Sequence, residues 1–201
     1  MTVKPRVIGI AGGSGVGKST TAFYFQDLYP EQVAIVHVDD YQKKSDKVPR
    51  LFGMTNWDDP EAIDFDLLLQ HLNLLLANHP VEVWTKDDRD NPDYRATGVR
   101  LKTIIYPRPI IILEGYLALY HPDVRKLLSR SFFLDLPYAQ RVIRRTKIIG
   151  DGYTDKILVP MHQQYVEPTK TFANLVIDTN NLSTQQVASL IEDQLIVGEF
   201  F

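Results

Sequence analysis

The sequence predicts an α/β fold, a parallel sheet with helices on both faces, and three observations predict it. Short, continuous apolar runs bounded by turn residues recur at Val7 to Ala11, Ala34 to Val38, Ile110 to Leu113, Phe132 to Leu136 and Leu175 to Ile177. Longer segments, one of them with clear helical spacing, lie between these runs. The first run passes directly into Gly12-Gly13-Ser14-Gly15-Val16-Gly17-Lys18-Ser19-Thr20, a glycine-rich junction followed by a helix-compatible stretch, Thr20 to Leu28. Strands that are apolar on both faces belong to sheets covered on both sides, and ligands of such sheets gather at the carboxyl ends of the strands.

The junction after the first strand is a phosphate-binding loop. Gly12, Gly17, Lys18 and Ser19 fit G-x-x-x-x-G-K-[ST], in which glycines let the backbone wrap an anion, the lysine reaches the outer phosphates and the hydroxyl serves Mg²⁺. Successive backbone N–H groups and the positive end of the following helix converge on one spot, so a polyphosphate finds donors there. Residues Gly12, Gly13, Ser14, Gly15, Val16, Gly17, Lys18, Ser19 and Thr20 are therefore the candidate ATP-binding set. The expected architecture is that of the P-loop NTPases, in one domain spanning residues 1–201.

The remaining elements follow in order. The second strand ends in Asp39 and Asp40. Phe65, Leu68, Leu69, Leu72, Leu75 and Leu76 keep a period near 3.6 and predict a helix opened by Asp59-Pro60 or by Asp64. Residues 81–106 break the rhythm with two short alternating runs around a charged, turn-rich stretch, which reads as a hairpin-like insertion on the acceptor side. The third strand ends in Glu114. A helix after Pro137 carries Arg141, Arg144 and Arg145 on one face, followed by the hinge-like Ile149-Gly150-Asp151-Gly152-Tyr153, so residues 137–165 are expected to form a lid.

Asp39, Asp40 and Glu114 all follow strands and are expected to converge on the phosphate loop. Phosphoryl transfer to an alcohol needs Mg²⁺ on the phosphate oxygens and a carboxylate to take the hydroxyl proton, and this group can meet both needs. Arginines stabilise charge on the transferred group, which gives the lid face a task. The five histidines form no metal-ligand pair, and His37 is assigned to the second strand. Tyr41, Trp57 and Tyr94 each stand beside a polar candidate, where they can stack on an aromatic base or pack in the core.

Composition sets the outer bounds. Of 201 residues, 44% are hydrophobic and 23% charged, enough for a full core. A net charge of -3 gives no basic footprint for nucleic acid. There is no cysteine, hence neither disulfide nor thiolate metal site. The start runs straight into the first strand and no apolar run approaches membrane-spanning length, so a soluble, cytoplasmic protein is expected, without a membrane partner.

Taken together, the motifs resemble the uridine kinase group of P-loop kinases, close to nicotinamide riboside kinases and more distantly phosphoribulokinase and pantothenate kinase. The resemblance spans nearly the whole chain. It includes Val38-Asp39-Asp40-Tyr41, Asn56-Trp57-Asp58-Asp59-Pro60-Glu61-Ala62, Leu113-Glu114-Gly115, Arg141-Val142-Ile143-Arg144 and Glu167-Pro168-Thr169-Lys170 before Ala173-Asn174-Leu175. It implies Asp39 as general base on a sugar 5′-hydroxyl, Ser19 and Glu114 at Mg²⁺ directly or through water, and Lys18 on the phosphates; Asp39 is counted with Ser19 and Glu114 among the metal candidates. It further implies Asp58 on ribose hydroxyls, Arg141 and Arg144 closing on substrate and phosphate, and Tyr94 near the base; Tyr41 and Trp57 are added as substrate-contact candidates from their own positions beside Asp40 and Asp58.

The chain also departs from the group. Arg145 stands where uridine kinases have aspartate, Ile149 and Asp151 stand where further lid arginines are usual, and Asp59 replaces a histidine. No histidine occurs near Thr97 to Arg100 to read a pyrimidine. The implied activity is ATP-dependent, Mg²⁺-assisted phosphorylation of a ribonucleoside 5′-hydroxyl, uridine or cytidine ahead of nicotinamide riboside, by an enzyme that can form homo-oligomers. Its rivals are a kinase for another small alcohol, such as pantothenate, and a non-catalytic nucleotide-binding module. A GTPase is disfavoured because no N-K-x-D segment is present.

Overall fold

The computed structural model of the chain describes residues 4–145 and 152–196, with backbone alone for 142–145 and 196. Five parallel strands form the central sheet in the order β2 (Val33–His37), β7 (Ile110–Glu114), β1 (Arg6–Gly12), β8 (Leu128–Asp135) and β9 (Leu175–Asp178). Each corresponds to one of the five apolar runs. The second ends at His37, one residue before the expected boundary, because residues 38–41 close into a tight turn.

Alternation along these strands divides the core into two layers. Val7 and Ala11 of β1 face one side with Val36, Ile111, Leu113 and Phe133, where α2 (Phe65–Leu76) contributes Leu68, Leu72 and Leu75. Ile8 and Ile10 face the other with Ile35, Ile112, Phe132 and Leu134, against Ala22 and Phe25 of α1 (Lys18–Leu28) and Val187, Ala188 and Ile191 of α7 (Thr184–Ile196). Each fully buried leucine or isoleucine contributes about 1.5–3 kcal/mol of transfer free energy, so covering both faces is what makes continuous apolar strands stable.

Asp64 opens α2: its side chain accepts from Leu67 N at 3.1 Å, while Asp59 caps a separate tight turn, Pro60–Ala62, by accepting from Glu61 N at 2.9 Å. The two alternative helix starts are therefore two consecutive caps. A two-stranded ribbon, β3 (Arg50–Leu51) with β4 (Met54–Thr55), precedes them.

The insertion is an antiparallel hairpin of β5 (Val81–Thr85) and β6 (Leu101–Ile105), with the short helix α3 (Tyr94–Thr97) between. Its neck is braced by Asn91, which is 1% exposed and donates to Thr85 O and Val99 O at 3.1 and 2.9 Å. After β7, α4 (Pro122–Leu127) leads into β8, and α5 (Tyr138–Arg145) follows. Residues 154–172 run as one irregular helix, wide at Thr154–Leu158 and His162–Val166, α-helical over α6 (Val159–Met161) and tight at Glu167–Phe172. Pro160 and Pro168 supply no N–H there, which breaks the regular hydrogen-bond ladder. No helix among the described residues is long and apolar enough to cross a membrane.

Candidate active site

The sheet's carboxyl edge brings the phosphate loop and three carboxylates together. Ile10 of β1 and His37 of β2 both pair in register with Glu114 of β7, so the three strand ends lie level. The loop continues β1, and Lys18, first residue of α1, folds back to donate to Gly13 O at 2.9 Å. Gly12 needs to be glycine: its φ is +139° and a Cβ there would overlap the carbonyl oxygen of Leu134 on β8. At Gly13 the close approach is different, since a Cβ would overlap the Arg141 guanidinium and stand 2.9 Å from the His162 ring.

Ser19 Oγ donates to Glu114 Oε1 at 3.1 Å, and His37 Nδ1 meets the same oxygen at 2.6 Å. Burial opposes charge on His37, but Glu114, Asp40 and Asp87 outweigh it and raise its pKa to about 9. The ring thus bonds to Glu114 rather than merely packing in the strand. Ser19 and Glu114 offer hard oxygen donors suited to Mg²⁺, and among the described residues there is no cluster of three protein ligands able to cage a metal.

Asp39 and Asp40, adjacent in sequence, point to different tasks. Asp39 lies in the cleft, where desolvation raises its pKa but Lys86, Lys18 and His37 outweigh it and hold the carboxyl below its usual range. Asp40 accepts from Lys86 N at 3.0 Å and anchors the hairpin. All three carboxylates line the cleft at this edge of the sheet, and the tight turn after His37 gives Asp40 a contact to the hairpin backbone in addition.

Above this floor opens a cleft of about 2170 Å³, lined by the loop, by Asp39, Trp57, Asp58 and Tyr116, and by the hairpin through Trp84, Tyr94 and Arg100. That exceeds the usual 300–1,000 Å³ of a single-ligand pocket, leaving room for a nucleotide and an acceptor together. Two tyrosines fix the Trp57-Asp58 segment. Tyr116 donates its hydroxyl to Trp57 O at 2.6 Å, and Tyr153 donates to Asp58 Oδ2 at 2.8 Å while accepting from Trp57 N at 3.1 Å. Tyr41 lies in the core, 3% exposed, with its hydroxyl 3.1 Å from His71 Nδ1; almost none of its ring surface is left for a ligand.

From the opposite side Arg141 reaches the phosphate loop. Its Nε is buried without a hydrogen-bond partner, and burial lowers its pKa although Glu167 and Asp135 oppose that. Beside it His162 Nε2 lies 3.2 Å from Glu167 Oε2, yet burial and the Arg141 charge push its pKa down to about 4. The side chains of Arg144 and Arg145, and all of Lys147, Ile149, Gly150 and Asp151, lie outside the described residues. Lys86, Tyr116, Tyr153 and His162 were not singled out as ligands by sequence, and neither was the Glu114 contact of His37.

Residues 7–188 match the model of the phosphoribulokinase/uridine kinase family. The chain belongs to that family. It is a phosphotransferase acting on an alcohol acceptor. Similar relatives include a uridine kinase of Streptococcus thermophilus, 32% identical over 96% of this chain and 98% of the relative, and one of Bacillus anthracis, 35% identical over 94% and 93%. Among solved structures, a possible uridine kinase from Bacillus stearothermophilus shares the fold with a TM-score of 0.62 at 22% identity, covering 89% of this chain and 91% of that one. Shikimate kinase from Acinetobacter baumannii follows at 0.53 and 14%, covering 98% and 96%. These two likenesses establish the P-loop kinase fold.

Proposed function

We propose that this family member transfers the γ-phosphoryl of ATP to the 5′-hydroxyl of a ribonucleoside, with uridine or cytidine as the preferred acceptor. The observation that carries the reading is the placement of Asp39 and Asp58 in one cleft with the phosphate loop: an anionic base and a carboxylate suited to a vicinal diol. A nucleotide-binding module needs neither. The relatives named uridine kinase, similar over nearly their full length, support the pyrimidine nucleoside as acceptor.

In this mechanism the loop amides and Lys18 bind the outer phosphates, and Arg141 approaches from the far side to balance charge on the transferred group. The diol of the ribose engages Asp58, whose carboxylate Tyr153 already orients, and Trp57 and Tyr94 bound the space for the base. Asp39 takes the 5′-hydroxyl proton as the oxygen attacks in line. Ser19 and Glu114 would hold Mg²⁺, which when bound neutralises phosphate oxygens. For Asp39 the base role is preferred over a metal role, since the Lys86 ammonium 3.5 Å away disfavours a cation on the same carboxylate. Positioning and electrostatics account for the catalysis without a phosphoenzyme.

The test is ³¹P NMR of the product formed from Mg-ATP and uridine. A new 5′-monophosphate resonance with stoichiometric ADP is expected. Intact ATP beside uridine and cytidine, in a protein that demonstrably binds ATP, would refute the assignment.

A further inference from the structure

We infer that Lys86, supplied by the hairpin insertion, is a positioning residue for Asp39, so that the insertion completes the base as well as walling the cleft. This rests on the reading of Asp39 as proton acceptor. Lys86 immediately follows β5, and its ammonium stands 3.5 Å from Asp39 Oδ2 and donates to Gln42 Oε1 at 2.8 Å. Its backbone N–H holds Asp40 Oδ1 at 3.0 Å, and Arg100, from the other arm of the hairpin, donates to Asp40 O at 2.9 Å. With Asn91 bracing the neck, the ammonium is carried by a fixed element, and its side chain is only 22% exposed.

The other carboxylate oxygen, Asp39 Oδ1, is buried and has no hydrogen-bond partner, so Lys86 supplies the ion pair that orients the group. A carboxylate beside a triphosphate is repelled by like charge, which both turns it away and favours its protonation. The Lys86 ammonium paired with Asp39 offsets both effects and keeps the carboxylate anionic and oriented. The residue acts through Asp39 and makes no bond to the reacting atoms.

The experiment is steady-state kinetics of Lys86→Met, Lys86→Arg and Lys86→Ala with Mg-ATP and uridine, together with the Asp39→Asn/Lys86→Met double variant. General-base catalysis as a whole is worth about 10²–10⁴-fold, so loss of its positioning partner should lower kcat by about 10- to 100-fold. The KM for ATP should stay within about twofold, because uniform nucleotide binding is untouched. Lys86→Arg should keep most of kcat, and ethylammonium should restore part of it to Lys86→Ala, a rescue that a scaffold role would not show. The double variant should be no slower than Asp39→Asn alone. Wild-type kcat in Lys86→Met, additive losses in the double variant, or a tighter Mg²⁺ requirement with unchanged kcat would each overturn the inference. A wild-type enzyme that phosphorylates no nucleoside would instead refute the proposed function, and the role of Lys86 with it.

Discussion

Alanine at Gly12 and at Gly17 should destabilise the protein by different amounts for a reason visible in the backbone. Both glycines have positive φ, +139° and +99°, and an L-residue there costs roughly 1–2 kcal/mol. At Gly17 a Cβ would meet nothing within 4 Å, so that conformational cost is the whole expectation. At Gly12 the Cβ would overlap the Leu134 carbonyl oxygen, with the carbonyl carbon at 3.2 Å and Val16 Cγ2 at 3.1 Å. Gly12 and Leu134 are paired strand residues, so the obstacle is sheet backbone that cannot swing aside. Overpacking of this kind adds about 1–3 kcal/mol, which brings Gly12→Ala to about 2–5 kcal/mol in all. Urea denaturation followed by far-UV circular dichroism measures the difference, provided the m-values agree. A Gly12→Ala protein as stable as Gly17→Ala would show that the β1–β8 contact at the root of the phosphate loop has been misjudged.

Three further outcomes are expected. Leu72→Ala removes a fully buried α2 side chain and should cost about 2–5 kcal/mol of unfolding free energy; a loss under 1 kcal/mol in urea titration would contradict its core placement. Asp58→Ala should raise the acceptor KM by about 10- to 100-fold, the worth of one or two hydrogen bonds to a charged group, with the KM for ATP unchanged; an unaltered acceptor KM would remove Asp58 from the diol. His162 has a folded pKa of about 4, below the 6.5 of a free histidine, so the unfolded chain takes up the proton first as pH falls. Its effect is therefore absent above pH 6.5 and grows toward pH 4, reaching at most about 3 kcal/mol of lost stability. Between pH 7 and 5 the urea midpoint of the wild type should fall further than that of His162→Phe, and equal falls would count against the buried neutral ring.

Much of the fold was legible because the signals were local. Five apolar runs gave five strands, the leucine period gave α2, and the alternation at 81–106 gave a hairpin. The phosphate loop could be read residue by residue, since its chemistry depends on consecutive backbone amides. The site was less legible wherever contacts join distant segments. Nothing in Lys86-Asp87-Asp88-Arg89-Asp90 distinguishes the lysine that meets Asp39, or the aspartate that faces His37, from the other charges of the stretch. Tyr153 was visible only as part of a hinge, yet it holds Asp58 across 95 residues. Asp39 and Asp40 look equivalent in the sequence and both line the cleft, and only the fold shows that Asp40 also holds the hairpin through Lys86 N. His37 looked like a strand residue, and only the register with Glu114 exposes its contact.

The most direct test of the central claim is ADP production from Mg-ATP measured in parallel with uridine, cytidine, nicotinamide riboside, pantothenate and no acceptor, using the wild type and Asp39→Asn. The account predicts strong turnover with a pyrimidine ribonucleoside, little with pantothenate, and near loss of that turnover in Asp39→Asn with ATP binding retained. Background ADP in every wild-type reaction despite ATP binding, or full turnover in Asp39→Asn, would contradict it.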